Sequence, residues 1–419
     1  MTFLASFLVF LLFLGPVVLA ILGWPVEGEF VKRIQPYPSF FILAVYIGYV
    51  VMNGKVNIKD VWPSLGVLLA VIGYIFICSI VGKSANRMVC YNSMMLPAMY
   101  YFFFSTLKGK NQIRCFVRVT ILTMFSINCL LSFYERITMV LIFPIDYLYS
   151  DINFIDIDER SFFRSSALIG HPLSNALIMS TIMIFVLTSR MSLRKKYVLY
   201  FLGLVSLFCF NARGAIIFSV IALGLYLFHS FFYKQRQNPF LSSVLFALFS
   251  IVFLYILYSS GLAGRFVERG PMISDSSTLA RIDIWMFFYK YDLFDFLWGV
   301  SMNDAQMIAY NLLGVRYLEN WLIMSILLVG LILTVLVVVL FFFAFKKALY
   351  SYDRFRSFLL VFTCIGIAST NNSLACGVPA IAMFFSCCYA FFEIPSSNKG
   401  LLLFQNICKK HNSINKNLN

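Results

Sequence analysis

Long runs of apolar residues are the feature that most constrains how this chain folds. The run from Trp321 to Phe345 contains no charged side chain, and similar runs recur along the sequence. About 20 apolar residues are enough to cross the hydrocarbon core of a bilayer as a helix. Because lipid offers no partners to backbone N–H and C=O groups, each crossing must be helical or part of a closed barrel. Barrel strands alternate polar and apolar residues and these runs do not, so we expect transmembrane helices.

The composition places the chain in the membrane class. Of its 419 residues 61% are hydrophobic and only 12% are charged, and the mean hydropathy is +0.86. A water-soluble domain needs far more charge to cover its surface. We expect a single integral membrane domain over residues 1–419, an all-α polytopic bundle of about twelve transmembrane helices.

The net charge of +15 indicates membrane topology and not binding to nucleic acid. Most Lys and Arg residues fall in six short segments, and most acidic residues fall in two long loops. The basic segments are Lys55 with Lys59, 108–118, 190–196, 234–236, 346–356 and the tail after Pro395. Because positive charge is retained on the cytoplasmic side during insertion, we expect these segments and both termini in the cytoplasm.

Two loops are expected on the opposite, periplasmic side. The first covers residues 134–165 and is rich in acidic residues, and the second, larger loop covers residues 261–320. A connection between two spans needs only a few residues, so a loop of about sixty indicates a folded element or a disordered link. Its aromatic content argues against disorder. We expect its stretch 282–299 to lie as a helix in the outer membrane interface.

A polar group follows the first loop, at the outer end of a predicted span. Arg164, His171 and Asn175 fall within about 40° of one another on a helix face, although Pro172 is expected to kink that helix. Polar residues in such a place usually face a bundle interior or a wet cavity. The alternative is that His171 and Asn175 only bond to a neighbouring helix.

A second polar group is the sequence Asn211-Ala-Arg213-Gly214, at a tight outward connection between two spans. Arg213 is a lone cation among acidic loops, and an arginine can hold a phosphate through two parallel hydrogen bonds. We therefore interpret Arg213 as a ligand for a substrate phosphate. The alternative is an interfacial arginine that binds a lipid phosphate.

The larger loop supplies a third group. Arg265, Arg269 and Arg281 lie within it, and Glu319 and Asn320 close it before the next span. Glu319 is a carboxylate at the point where the loop re-enters the membrane, which makes it a candidate general base. The alternative is that these loop charges have no special role.

Signatures of nucleotide or metal chemistry are missing from the sequence. It contains no P-loop, no GxGxxG after a strand, no GxSxG and no HExxH. Three histidines and no CxxC pair leave too few ligands for a structural zinc site. We therefore expect neither a metal ion nor a cofactor.

The order of these short motifs resembles the O-antigen polymerase and ligase family of membrane proteins. The resemblance covers about residues 160–330. The residues that carry it are Phe163-Arg164, Gly170-His171-Pro172, Asn175, Asn211-Ala-Arg213-Gly214-Ala215, Ala280-Arg281, Trp285, Trp298-Gly299, Glu319-Asn320 and Gly330.

This resemblance implies a glycosyltransferase with a GT-C-like bundle. It would act without a metal on undecaprenyl-diphosphate-linked oligosaccharides, at the outer face of the bacterial inner membrane. By position, Arg164, Arg213 and Arg281 would contact the diphosphate and the glycan. The further expected substrate contacts are His171, Asn175, Arg265, Arg269 and Asn320.

One departure from the family pattern favours a polymerase. The ligase branch carries a histidine just before the span that follows the large loop, and this chain has Glu319-Asn320 there. The expected function is polymerisation of lipid-linked repeat units into O-antigen or a related surface polysaccharide, with Glu319 as the base. A chain-length regulator protein is a candidate partner. The alternatives are an O-antigen ligase and a flippase or other transporter of lipid-linked units.

Overall fold

The protein is built almost entirely of helices. The computed structural model describes residues 1–27, 33–34, 36–54, 56–83, 85–143, 163–233, 251, 255, 292–313, 320–370, 374–375 and 377–392. The helices within these ranges are α1 (Thr2–Leu11), α2 (Pro16–Ile21), α3 (Pro38–Met52), α4 (Ile58–Val81), a π-helix (Val89–Met95), α5 (Leu96–Thr106), α6 (Asn111–Thr138), α7 (Pro172–Thr188), α8 (Leu193–Cys209), α9 (Arg213–Tyr233), α10 (Leu293–Trp298), α11 (Met302–Leu313), α12 (Trp321–Ala348), α13 (Arg354–Ser369) and α14 (Ala380–Ala390). A short antiparallel pair joins Val26–Glu27 to Arg33–Ile34.

Four helices in the described part of the chain are long and apolar enough to cross a membrane. They are Ile58–Val81, Asn111–Thr138, Arg213–Ser230 and Trp321–Ala348. Shorter apolar helices, such as α3 and α7, accompany them. The prediction of a helical membrane protein is therefore confirmed, while the count of twelve spans stays a prediction.

Helix α7 forms the centre of the bundle. Every side chain from Ser174 to Leu187 is buried, and the helix packs against α6, α8, α9, α13 and α14. A helix that is apolar on all sides is expected to be enclosed by other helices or by lipid. Here the other helices enclose it, so the position of its first residue, Pro172, is fixed by packing from several directions.

The basic segments within the described residues gather at one end of the bundle, called the basic end below. Lys108 pairs with Asp60 at 3.4 Å, and Lys347 donates to the Lys59 carbonyl. The Arg356 Nε donates to the Thr188 hydroxyl at 3.1 Å, which places the last residue of α7 at this same end. The first residue of α7 and the residues before it therefore lie at the other end, called the polar end.

Helix α12 is interrupted near its first third. Gly330 has φ of 78° and ψ of 163°, a conformation outside the helical region. The 293–300 segment, which includes α10, packs against the interruption, and the Val300 N–H donates to the Leu327 carbonyl at 2.8 Å. A backbone carbonyl freed by the break is thus satisfied inside the protein, as a membrane requires.

The 293–300 segment is held between α12 and α4. The Tyr74 hydroxyl donates to the Trp298 carbonyl at 2.8 Å, and the Lys83 ammonium pairs with the Asp295 carboxylate at 2.7 Å. Gly299 adjoins Gly330 so closely that a Cβ on Gly299 would lie 2.7 Å from the Gly330 nitrogen. This part of the stretch 282–299 is helical at Leu293–Trp298 and contacts α4 and α12, while Leu293 and Phe294 stay exposed. Its place in an outer membrane interface stays a prediction. Residues 282–291 lie outside the described residues.

Candidate functional site

The polar end is organised around a segment that we call the polar loop, residues 163–171. Its backbone is not helical, and α7 begins directly after it at Pro172. Proline suits the first turn of a helix because an N–H there has no partner within the helix. Ala167 and Gly170 turn the chain with φ of 39° and 79°.

The prediction that Arg164, His171 and Asn175 share one helix face is therefore wrong. Arg164 and His171 lie in the polar loop, and of the three only Asn175 belongs to α7. Pro172 starts the helix and does not kink it. Asn175 nevertheless adjoins the loop, because its Nδ2 donates to the His171 carbonyl at 3.1 Å.

A buried carboxylate at the end of α6 holds the polar loop. Glu135 is fully buried, and its Oε2 accepts hydrogen bonds from the Ser166 and Ala167 amides at 2.9 Å each and from the Ser165 hydroxyl. Its Oε1 accepts from the Ile142 amide at 3.0 Å. Because α6 continues to Thr138, residues 134–138 are helical, although the sequence assigned them to the first loop.

Two buried asparagines complete this support. Asn128 Oδ1 accepts from the Leu168 amide at 3.0 Å, and its Nδ2 donates to Asn175 Oδ1 at 2.9 Å. Asn175 Nδ2 in turn donates to the Ser166 carbonyl at 2.6 Å. Buried polar groups are costly unless they are paired, so this network favours one backbone conformation of the loop.

Arg164 reaches from the polar loop to the turn between α8 and α9. Its Nε lies 3.4 Å from the Phe210 carbonyl and its Nη2 lies 3.4 Å from the Asn211 carbonyl. Asn211 has φ of 53°, and Arg213 begins α9 two residues later. Arg164 therefore contacts the turn that leads into Arg213, and both arginine side chains are half-buried.

The turn that carries Arg213 also contacts the end of α13. A Cβ on Gly214 would lie 2.6 Å from Thr370 Oγ1, so a side chain at position 214 would push these helices apart. His171, at the end of the polar loop, has its Nδ1 3.4 Å from the Ser174 hydroxyl.

The remaining predicted site residues divide into two groups. Asn320 caps α12, because its Oδ1 accepts from the Leu322 and Ile323 amides at 3.0 and 3.2 Å. That contact gives Asn320 a structural role at the start of the helix. Arg265, Arg269, Arg281 and Glu319 lie outside the described residues.

Several functional residues were missed by the sequence interpretation. Asn128 and Glu135 stand seven residues apart on α6, so they share a helix face, and both are buried. Their sequence signal is an asparagine in the middle of a predicted span and a carboxylate at its end, directly before Arg136. Lys83 and Asp295 were missed because their pairing joins residues distant in sequence.

Arginine side chains at the polar end are suited to bind an anion. In the part of the chain that the structure describes, no group of three His, Cys, Asp or Glu side chains is placed to hold a metal. Arg164 and Arg213 stand on two elements that meet at one turn, and arginine is suited to contact an anionic group.

The fold and this site define a helical membrane protein with an arginine-bearing site at the polar end of its bundle. No protein-family model matches the sequence, and no curated protein matches it.

Proposed function

We propose that this protein polymerises undecaprenyl-diphosphate-linked oligosaccharide repeat units into O-antigen or a related surface polysaccharide. The proposal includes a bundle of about twelve spans of the GT-C type. It places the protein in the bacterial inner membrane with the basic end and both termini in the cytoplasm. The polar end then faces the periplasm, where lipid-linked repeat units are joined, and a chain-length regulator protein is the proposed partner.

The observation that carries this proposal is the contact of Arg164 with the turn that leads into Arg213. Arg164 contacts the carbonyls of the turn that Arg213 follows, at the end of the bundle away from the basic segments. An arginine pair at that end is suited to the diphosphate of a lipid carrier whose tail lies in the membrane. An arginine at the membrane surface that only binds lipid phosphate would not need a contact with a second element of the fold.

The proposed reaction needs positioning, cationic stabilisation and one base. A hydroxyl of the acceptor unit attacks the anomeric carbon of the growing chain, and the bond from that carbon to the diphosphate oxygen breaks. Undecaprenyl diphosphate leaves with the bonding electron pair, and Arg164 and Arg213 stabilise the charge that develops on it. Glu319 takes the proton of the hydroxyl, and Arg281 adds a further cation from the larger loop.

A flippase is the second candidate, and the broken helix α12 favours it. Helices interrupted at mid-membrane form the substrate and ion sites of many transporters. In this protein, however, the 293–300 segment packs against the interruption at Gly330, and its Val300 amide donates a hydrogen bond to the Leu327 carbonyl. The break therefore offers less room for a substrate than the open breaks of such transporters.

A deletion strain tests the proposed function and separates it from its rivals. The surface polysaccharide of the strain is resolved on a gel, with and without a plasmid that carries the wild-type gene. If the protein is the polymerase, lipid A–core in the deletion strain carries a single repeat unit and the plasmid restores the ladder. Lipid A–core with no repeat unit contradicts a polymerase and favours the ligase or the flippase.

A further inference from the structure

One carboxylate holds both sides of the first long loop. Oε1 of Glu135 accepts from the Ile142 amide, and Oε2 accepts from the Ser165 hydroxyl and from the Ser166 and Ala167 amides. Ile142 precedes the stretch 144–162 and Ser165 follows it. Glu135 therefore joins the chain that leaves α6 to the chain that returns toward α7.

These contacts argue against a role for Glu135 as a general base. Its side chain is fully buried, and both oxygens already accept hydrogen bonds from this chain. A base must reach the proton that it removes. A buried carboxylate costs much free energy unless it is hydrogen-bonded or paired, and the donors from Ile142 and from residues 165–167 supply those hydrogen bonds.

What Glu135 holds in place is a strained part of the polar loop. Ala167 has φ of 39°, which residues with a Cβ rarely adopt, and its amide is one of the donors to Glu135. Such conformations persist only where surrounding contacts determine them, and they cluster at functional sites. Arg164 lies one residue before Ser165, so the same contacts fix where its side chain begins.

We propose that Glu135 is a positioning residue, which fixes the polar loop so that Arg164 meets the Asn211–Arg213 turn. It acts on the substrate through Arg164 and does not touch it. The anchoring of the loop stands on the structure alone, whereas its consequence for a lipid diphosphate rests on the proposed function.

Hydrogen exchange of the purified protein tests the anchoring itself. In Glu135→Gln, the new side chain keeps one acceptor oxygen, and its NH2 group cannot accept from a backbone amide. Either the Ile142 amide or the Ser166 and Ala167 amides therefore lose their acceptor, and we expect roughly 10- to 100-fold faster exchange across residues 139–143 or 163–171. Asp60→Asn is the matched control, because it neutralises a half-exposed carboxylate at the basic end. Unchanged exchange of both the 139–143 and the 163–171 peptides in Glu135→Gln overturns the proposal.

Binding of undecaprenyl diphosphate to protein in nanodiscs tests the link to Arg164. We expect Glu135→Gln and Arg164→Gln each to weaken binding about tenfold, and the double variant to bind no more weakly than Arg164→Gln. A strictly additive loss overturns the link, because Glu135 would then act apart from Arg164. Wild-type protein that fails to bind this lipid counts against the proposed function, while the exchange result still decides the anchoring.

A milder variant covers the case in which Glu135→Gln fails to fold. Ser165→Ala removes one donor to the carboxylate and leaves the carboxylate in place. We expect about threefold faster exchange of the 163–171 peptide, with the same control. Exchange that stays at the wild-type rate in Ser165→Ala overturns the proposal.

Discussion

At the scale of single residues, buried polar side chains of α6 and α7 provide the hydrogen bonds that the backbone of the polar loop cannot make with itself. Asn128 accepts from the Leu168 amide, Glu135 accepts from the Ser166 and Ala167 amides, and Asn175 adds a second donor to the Ser166 carbonyl, which also accepts from the Gly170 amide. A buried amide or carbonyl without a partner costs about 1 to 3 kcal/mol. The loop therefore depends on a few side chains, each of which can be tested alone.

Asn128→Ala is expected to destabilise the protein. The change leaves the Leu168 amide and Asn175 Oδ1 without their partner, at a cost of about 1 to 3 kcal/mol for each. Thermal unfolding in detergent should show a clearly lower midpoint. Asn53→Ala is the control, because exposed Asn53 donates only to the Tyr49 carbonyl in its own helix. Equal midpoints for the two variants would contradict the role given to Asn128.

Arg164→Gln and Arg213→Gln are each expected to slow polymerisation about 100-fold, because each removes a cation that stabilises the departing diphosphate. Rates are measured with purified protein and lipid-linked repeat units. Lys108→Gln, which removes a cation at the basic end, should leave the rate unchanged. Wild-type rates in both arginine variants would remove the pair from the mechanism.

Cations were easier to predict from the sequence than the residues that position them. Arg164 and Arg213 stand out as charges beside apolar runs, and the structure brings them to one turn. Asn128 and Glu135 gave a weaker signal, because their partners are backbone amides on another segment. The helix-face prediction failed at Pro172, since a proline that begins a helix has the same local sequence as one that kinks it.

At the scale of helices, the interruption of α12 joins the larger loop to the bundle. The 293–300 segment contacts the break at Gly330 and is tied to α4 through Tyr74 and Lys83. Asn320 caps the first turn of α12, directly after Glu319. The break and the 293–300 segment therefore tie this part of the larger loop to α12 and α4.

Gly330→Ala tests this junction. A Cβ at position 330 would clash with the Leu297 carbonyl, and the φ of 78° suits glycine alone. We expect a lower unfolding midpoint and slower polymerisation. Gly73→Ala is the matched control, since Gly73 lies within α4 with no atom within 4 Å of the added Cβ. A Gly330→Ala protein as stable and active as Gly73→Ala would show that the junction is unimportant.

The sequence predicted that a span begins near Trp321 but not that it is interrupted. The run from Trp321 to Phe345 is continuously apolar, and a single glycine inside it is compatible with an unbroken helix. The break becomes visible only when the Val300 amide and the Gly299 backbone are placed beside it. Contacts between segments distant in sequence cannot be inferred from helical periodicity.

At the scale of the whole molecule, charge separates the two ends of the bundle. The contacts of Lys108, Lys347 and Arg356 lie at one end, and the polar loop and the Arg213 turn lie at the other. The sequence predicted this separation from the basic segments alone, because they recur at alternate connections between spans. It could not supply the arrangement of helices around α7, which depends on side-chain packing.

Fusions to alkaline phosphatase test the orientation, because this enzyme is active only in the periplasm. We expect activity when it is fused after Phe143 or Val300, and no activity after Arg190 or Tyr350. The last two positions lie at the basic end, which the positive-inside rule places in the cytoplasm. The reverse pattern would contradict the proposed orientation and would place Arg164 and Arg213 on the cytoplasmic side.

The most direct test of the proposed polymerase function is elongation of the glycan by the purified protein. Lipid-linked repeat units, isolated from the deletion strain, are added to the wild-type protein and to Arg164→Gln in nanodiscs. We expect the wild type to lengthen the glycan and to release one undecaprenyl diphosphate for each unit added. We expect Arg164→Gln to do so about 100-fold more slowly. Folded wild-type protein that binds the lipid-linked unit but neither lengthens the glycan nor releases undecaprenyl diphosphate would contradict the proposed function.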